Sequence, residues 1–267
     1  MPGTDQPAYR EAGKGQAIVF LHGMLGSSIY WQELMDTVST NYHAVALDLL
    51  GFGNAPKPKH SNYSREDHIE YIVQTLDRLG VDEPVILVGH SMGALIALAL
   101  AVKYPQRVAR LILISMPVYE NASQARRRIT RNGIVPRLMY YGPIARMVCA
   151  TMCKLQPLAR VLAPVYFKHL PKDIAAAATM HTWYSYSRSM TNVIENQNVL
   201  TDLQQIEVPV VALFGSHDNV ASASNLRTIR RCCMDIKITI VNGGHHLPLE
   251  LPTAVVQAIK GQAVSSG

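Results

Sequence analysis

The chain has 267 residues, of which 48% are hydrophobic and 16% charged, with a formal net charge of +6. That length suits one α/β domain with a single insertion and a large core, and the composition is that of a globular enzyme. No stretch reaches the roughly 20 unbroken apolar residues of a membrane span; the nearest, residues 84–102, is interrupted by Gly89, His90, Ser91 and Gly93. Met1–Asp5 lacks the basic-then-apolar layout of a signal peptide, so a cytoplasmic location is expected. No nucleic-acid motif accompanies the positive charge.

Taken in chain order, apolar β-branched runs predict strands near 17–22, 43–48, 84–89, 109–115, 208–214 and 236–241. Helical patterns fall near 29–39, 64–79, 91–103, 219–231 and 252–261. Strands alternating with helices over short connections predict a doubly wound, mostly parallel sheet. The alternation breaks after Ser115-Met116-Pro117, where roughly eighty residues precede the next strand, far more than one crossover helix needs. That stretch carries helical patterns with breaks at Gly133, Pro136, Gly142-Pro143, Pro157, Pro164 and Pro171. The expected organisation is therefore a core over 1–117 and 201–267, with a helical cap inserted at 118–200. The cap holds eleven Lys and Arg against three acids, a net of +8, which leaves −2 for the rest of the chain.

Between the strand at 84–89 and the Ala/Leu-rich helix at 91–103 lies Gly89-His90-Ser91-Met92-Gly93. A serine between glycines at a strand-to-helix turn is a nucleophile elbow: only residues without bulk fit at 89 and 93, and the turn exposes the Ser91 hydroxyl at the edge of the sheet. A serine hydroxyl is a poor nucleophile and needs a base oriented by an acid. Both candidates follow later strands. Asp218 stands in Gly215-Ser216-His217-Asp218, and two histidines close Asn242-Gly243-Gly244-His245-His246. Asp218 also suits a cap for the predicted helix at 219–231, and only one of His245 and His246 can point at Ser91. An acyl-transfer serine further needs N–H donors for the developing oxyanion; those of Met92, directly after the nucleophile, and Met24, after His22-Gly23, are the candidates. Leu25, Tyr30, Trp31 and His90 are candidate pocket residues, Trp31 suiting plain packing equally well.

Together these motifs resemble the α/β-hydrolase family along nearly the whole chain. Tyr9–Gly15 followed by Ile18–Gly23 is similar to its opening strands and oxyanion loop, and Asp48-Leu49-Leu50-Gly51-Phe52-Gly53 to its Asp-x-x-Gly-x-Gly turn. Gly244-His245 with Glu250 and Pro252 resembles its Gly-His…Glu-x-Pro ending, which implies His245 as the base. Asn54-Ala55 departs from the serine common after the glycine-rich turn, and with eight residues before Tyr9 the usual first strand is short or missing. In the family His22 usually braces the oxyanion loop, and Asp48 would satisfy N–H groups of its turn. Serine at 91 separates the chain from the related epoxide hydrolases and haloalkane dehalogenases, which carry Asp there.

The function expected is a cofactor-free serine hydrolase, with no metal, that cleaves carboxylic esters of apolar acyl substrates through Ser91, His245 and Asp218. Thioester hydrolysis and carbon–carbon bond hydrolysis use the same three residues, and a ligand-binding receptor on this fold stays open as a different class. The basic cap suits a small-molecule ester with an anionic group, or peripheral contact with an anionic membrane; Arg126, Arg127, Arg128 and Arg131 are either its anion handle or the solvated face of a helix. The cysteines at 149, 153, 232 and 233 match no zinc-ligand spacing and read as reduced thiols. Nothing in the sequence sets an oligomeric state.

Overall fold

The computed structural model describes residues 8–131, 142–221, 226, 229–230 and 236–264. A seven-stranded sheet in the order β1-β3-β2-β4-β5-β6-β7 runs through it. Its strands are β1 (Tyr9–Ala12), β2 (Ala17–Leu21), β3 (His43–Leu47), β4 (Val85–His90), β5 (Val108–Ile114), β6 (Val210–Gly215) and β7 (Lys237–Val241). Each predicted strand is present within two residues of its expected ends. Every residue of β2 and β4 is buried, because a parallel strand covered by helices on both faces must be apolar throughout rather than alternating. β1 is the short opening strand expected, pairing antiparallel with β3 at the sheet edge; the other pairings are parallel.

The strand order decides where a site can form. From β2 the chain steps outward to β3, then crosses to the far side of β2 for β4 and continues through β5, β6 and β7. The reversal between β2 and β4 opens a crevice at their carboxyl ends, where ligands of doubly wound sheets bind. The loop Gly23-Met24 follows β2, and Ser91 follows β4.

Before β5 lie α1 (Gln32–Val38), entered through a 3-10 turn at Ser28–Trp31, α2 (Arg65–Arg78) and α3 (Met92–Lys103). Ser64 caps α2 by accepting the Asp67 N–H, with Glu66 and Asp67 in the first turn where they complement the helix dipole. Met92 through Ala101 of α3 are all buried, as a helix apolar on every face requires.

Residues 122–205 carry α4 (Ala122–Arg131), α5 (Pro143–Lys154), α6 (Gln156–Tyr166), α7 (Lys172–Ala177), α8 (Trp183–Ser189), a π-helical turn at Met190–Glu195 and α9 (Val199–Gln205). Pro143 and Pro157 fall in the first turns of α5 and α6 and Pro171 caps α7, so three expected breaks coincide with helix starts. Pro164, expected as a fourth, lies inside α6 instead. Gly133 and Pro136 lie outside the described residues, as does most of the helix expected at 219–231. The helix expected at 252–261 is α11 (Pro252–Ile259), preceded by a short helix that was not expected, α10 (Leu247–Glu250); a proline in the first turn of each separates the two. Among the described residues no helix is long and apolar enough to cross a membrane. Cys149 and Cys153 are free thiols; residues 232 and 233 lie outside the described residues.

Candidate active site

The elbow is built by backbone contact. A methyl group on Gly93 would stand 2.3 Å from the Leu21 carbonyl oxygen of β2, and one on Gly89 would stand 2.5 Å from the Gly93 carbonyl oxygen. Any side chain at either position would force strand and helix apart. Between them Ser91 holds φ 53 and ψ −116, a conformation costly for any residue with a Cβ. Its N–H donates to the Ile114 carbonyl at 2.9 Å, which ties the strained turn to β5.

The loops after β6 and β7 are laced together. Ser216 and His217 donate their N–H groups to the carbonyls of Val241 and Gly243 at 2.9 and 3.0 Å. Gly215 lies so close to Gly243 and Gly244 that a Cβ there would sit 2.2 Å from a carbonyl oxygen. This seam carries Asp218 and His245 into register. His245 Nδ1 donates to Asp218 Oδ2 at 2.9 Å, and its Nε2 accepts from Ser91 Oγ at 3.1 Å. The other oxygen, Asp218 Oδ1, accepts the N–H groups of Val220 and Ala221, both at 2.8 Å. The two readings of Asp218 in the sequence are thus compatible, one on each carboxylate oxygen. Burial by itself would raise the Asp218 carboxyl, but the hydrogen bond and charge of His245, with the two N–H donors, outweigh it and the net shift is downward.

Of the two adjacent histidines, the structure brings His245 to Ser91. The His246 ring turns away and accepts from the Tyr30 hydroxyl at 3.2 Å. Burial, reinforced by the neighbouring charge of His245, pushes His246 down to about 4. Glu250 fixes the loop between them: its carboxylate accepts the N–H of Gly244 and the N–H of His246, on either side of His245. Replacing Glu250 with alanine frees both amides. Since a misplacement of about 1 Å costs roughly 10²-fold, kcat is expected to fall by about that factor, measured beside a melting curve to separate misplacement from unfolding.

His22 accepts the Leu49 N–H at Nε2, 2.9 Å away, and donates from Nδ1 to the Gly23 carbonyl at 2.7 Å. It is fully buried and its pKa is lowered by that burial, so the ring is a neutral brace under the Gly23-Met24 loop. Asp48 spans the same region, accepting the Ser28 and Asn54 N–H groups, each at 2.6 Å. Gly53, at φ 52, would drive a Cβ to 2.3 Å from that carboxylate, which accounts for the second glycine of the turn. Gly23 itself leaves only 3.1 Å between an added Cβ and the Ser91 Cβ.

A cavity of about 220 Å³ opens on Ser91, lined by Met24, His90, Pro117, Tyr119, Arg128, Ile129, Met190, Ile194, Val220 and His245 among others. Outside it lies a wider vestibule lined by Arg131, His169, His217, Asn219, Val220, His245 and His246. Met24 and His90 therefore border the cavity, whereas Leu25, Tyr30 and Trp31 are not part of its lining. Trp31 is fully buried with its ring 5.0 Å from Phe20, and it packs. Tyr30 stacks behind His90 at 5.0 Å. His90 donates from Nε2 to the His245 carbonyl at 2.8 Å.

The four arginines of α4 divide. Arg126 makes a two-pronged contact with buried Glu195, at 3.2 and 3.0 Å, and so anchors the helix. Arg127 is exposed, Arg128 borders the cavity and Arg131 the vestibule. Tyr119, Ile129 and Ile194 escaped sequence reasoning because nothing in a helical pattern marks which apolar side chains face a cavity. Glu195 carried a usable signal, being one of three acids in a strongly basic stretch.

A serine–histidine–acid array at the carboxyl edge of a doubly wound sheet defines the class of the α/β hydrolases. A sequence profile of the alpha/beta hydrolase fold matches residues 16–252, and the chain belongs to that enzyme family. It is 30% identical over 252 residues to the probable lysophospholipase BODYGUARD 4 of Arabidopsis thaliana, covering 86% of this chain and 59% of that relative. The chain thus spans less than two thirds of that relative's length. Among solved structures, E-2-(acetamidomethylene)succinate hydrolase superposes with a TM-score of 0.75 at 20% identity, over 95% of this chain and 93% of the other. A membrane phospholipase A superposes with a TM-score of 0.71 at 22% identity, over 95% and 80%. These two likenesses are of fold.

Proposed function

We propose that the chain hydrolyses carboxylic esters whose apolar acyl group is joined to an anionic moiety. The observation that carries this reading is the continuous relay from Asp218 through His245 to Ser91, opening into a cavity with apolar walls and one arginine. In the reaction His245 takes the proton from Ser91 Oγ as it attacks the ester carbonyl. Asp218 holds the imidazole in the Nδ1–H tautomer and stabilises its positive form. Met92 opens α3, so its N–H is among those without a carbonyl partner in the helix; with the Met24 N–H from the loop braced by His22, it receives the oxyanion. His245 then returns the proton to the leaving alcohol, and water repeats the sequence on the acyl-enzyme.

Residues 118–200 act as the cap over this site. Pro117, Tyr119, Ile129, Met190 and Ile194 furnish the apolar wall and Arg128 the cation beside it. A lysophospholipid, the substrate class in the names of the Arabidopsis relatives, joins one acyl chain to a phosphate and matches that pairing. Turnover of a p-nitrophenyl ester series from acetate to palmitate, run beside fluorophosphonate labelling, tests the assignment: stoichiometric labelling with no turnover of any ester would indicate a receptor instead. The anionic handle has its own test. Arg128→Gln is expected to raise KM for an anionic ester about tenfold, the cost of a charged hydrogen bond, and to leave a neutral ester of equal chain length unchanged. Equal responses of the two substrates would remove Arg128 from recognition.

A further inference from the structure

The apolar stripe of α6 points away from the protein. Leu158, Val161, Leu162 and Val165 have the i, i+3, i+4, i+7 spacing that normally turns a helix face inward. Yet Val161 is 72% exposed, and the other three are each more than half exposed. The buried side carries the small Ala163 instead. Just before it, Ile144 and Met147 of α5 are more than half exposed as well. Of the ten large apolar side chains exposed among the described residues, eight fall between 144 and 166, a concentration that soluble surfaces avoid and that marks an interaction site.

Along these two helices the charge is of one sign, and the first carboxylate after them is exposed Asp173 at the start of α7. From Asn121 to Lys172 the chain contains no Asp or Glu, and Arg146, Lys154, Lys168 and Lys172 are all exposed. Apolar side chains interspersed with cations, with no carboxylate on α5 or α6 and with Tyr166 exposed at the end of α6, fit an anionic phospholipid bilayer. The aliphatic groups enter the acyl boundary, the cations meet lipid phosphates, and the tyrosine sits at headgroup level. The surface also adjoins the site. Directly after α6 the chain reaches His169, whose ring stands 5.8 Å from that of His246 and which lines the outer vestibule.

We propose that the α5–α6 hairpin seats the protein on an anionic phospholipid surface, with the vestibule at His169 turned toward the lipid to receive acyl substrates. The docking stands on exposure and charge alone; the delivery of substrate rests on the ester-hydrolase reading above. Flotation of the full chain with vesicles of phosphatidylcholine, pure or mixed with phosphatidylserine, tests it. The chain is expected to float with the mixed vesicles and much less with the pure ones, and to be released as salt is raised. The double variant L162D/V165D should lose at least about tenfold in partitioning, since two aliphatic side chains no longer leave water. The triple variant R146Q/K154Q/K168Q should lose on the order of a hundredfold, at about tenfold for every 1.4 kcal/mol. Both variants should keep their melting temperature and their turnover of a short soluble ester, so that a docking failure and a hydrolase failure read out separately. Absence of binding to either vesicle, equal binding to both, or native binding by L162D/V165D would overturn the proposal. So would a dimer in sedimentation that L162D/V165D splits without any vesicle binding, which would make the face a contact between copies.

Discussion

Replacing Ser91 with alanine is expected to lower kcat for an activated ester by about 10⁶, the usual cost of losing a triad nucleophile, and to abolish fluorophosphonate labelling. The fold should survive, because the elbow depends on Gly89, Gly93 and the Ser91 N–H bond to Ile114, none of which involves the hydroxyl. His245→Ala should reach nearly the same floor: with the imidazole gone, the proton of Ser91 Oγ has no acceptor at 3.1 Å. His246→Ala should stay within about tenfold of the native rate, since that ring reaches Tyr30 rather than the serine. Residual activity of Ser91→Ala within about tenfold of native would sink the assignment, and the reverse ranking of the histidines would move the base to His246.

Acidification from pH 7 to pH 5 is expected to destabilise the fold by several kcal/mol. Burial pushes His68 down to about 3; burial also takes His181 and His246 to about 4. In the unfolded chain each of these imidazoles binds its proton near pH 6.5. Between that value and 3–4 the unfolded state therefore holds more protons than the folded one, and stability falls as pH falls through this window. It is fully present above pH 6.5. At pH 5 the imbalance comes to about 2 kcal/mol per histidine, against a typical total of roughly 5–15 kcal/mol. Urea midpoints measured from pH 7.5 to pH 5 should drop steeply, and His68→Leu should flatten the slope by about one proton. A midpoint that does not move over that interval would contradict the burial of these rings.

The parts of this molecule legible in its sequence are those where backbone must approach backbone. Gly89 and Gly93 flank a serine because strand and helix touch there, and the apolar runs on either side announce both elements. Asp48 with Gly51 and Gly53 is legible for the same reason. Less legible were the packing roles of aromatic residues. Trp31 and Tyr30 follow the oxyanion loop closely enough to suggest pocket walls, but a 3-10 turn rotates them onto Phe20 and behind His90. Between β5 and β6 the helical character and the charge were readable, yet the proline pattern overstated the breaks: Pro164 removes only one N–H from α6, and the helix continues past it. Most hidden was the inversion of α6. Helical periodicity reveals that a stripe exists but not which way it faces, because the pattern is identical for a core and for an external partner.

The π-helical turn at Met190–Glu195 directly continues α8. A turn of this kind amounts to an α-helix that has accepted one additional residue. Met190 and Ile194, both on the cavity wall, and Glu195, which grips Arg126, all belong to it. A single-residue deletion here would restore α-helical register, swing those side chains by about a quarter turn, and reshape this wall of the cavity without touching a strand of the sheet. A scaffold of this kind can thus change the shape of its cavity by one codon gained or lost, with the sheet left intact.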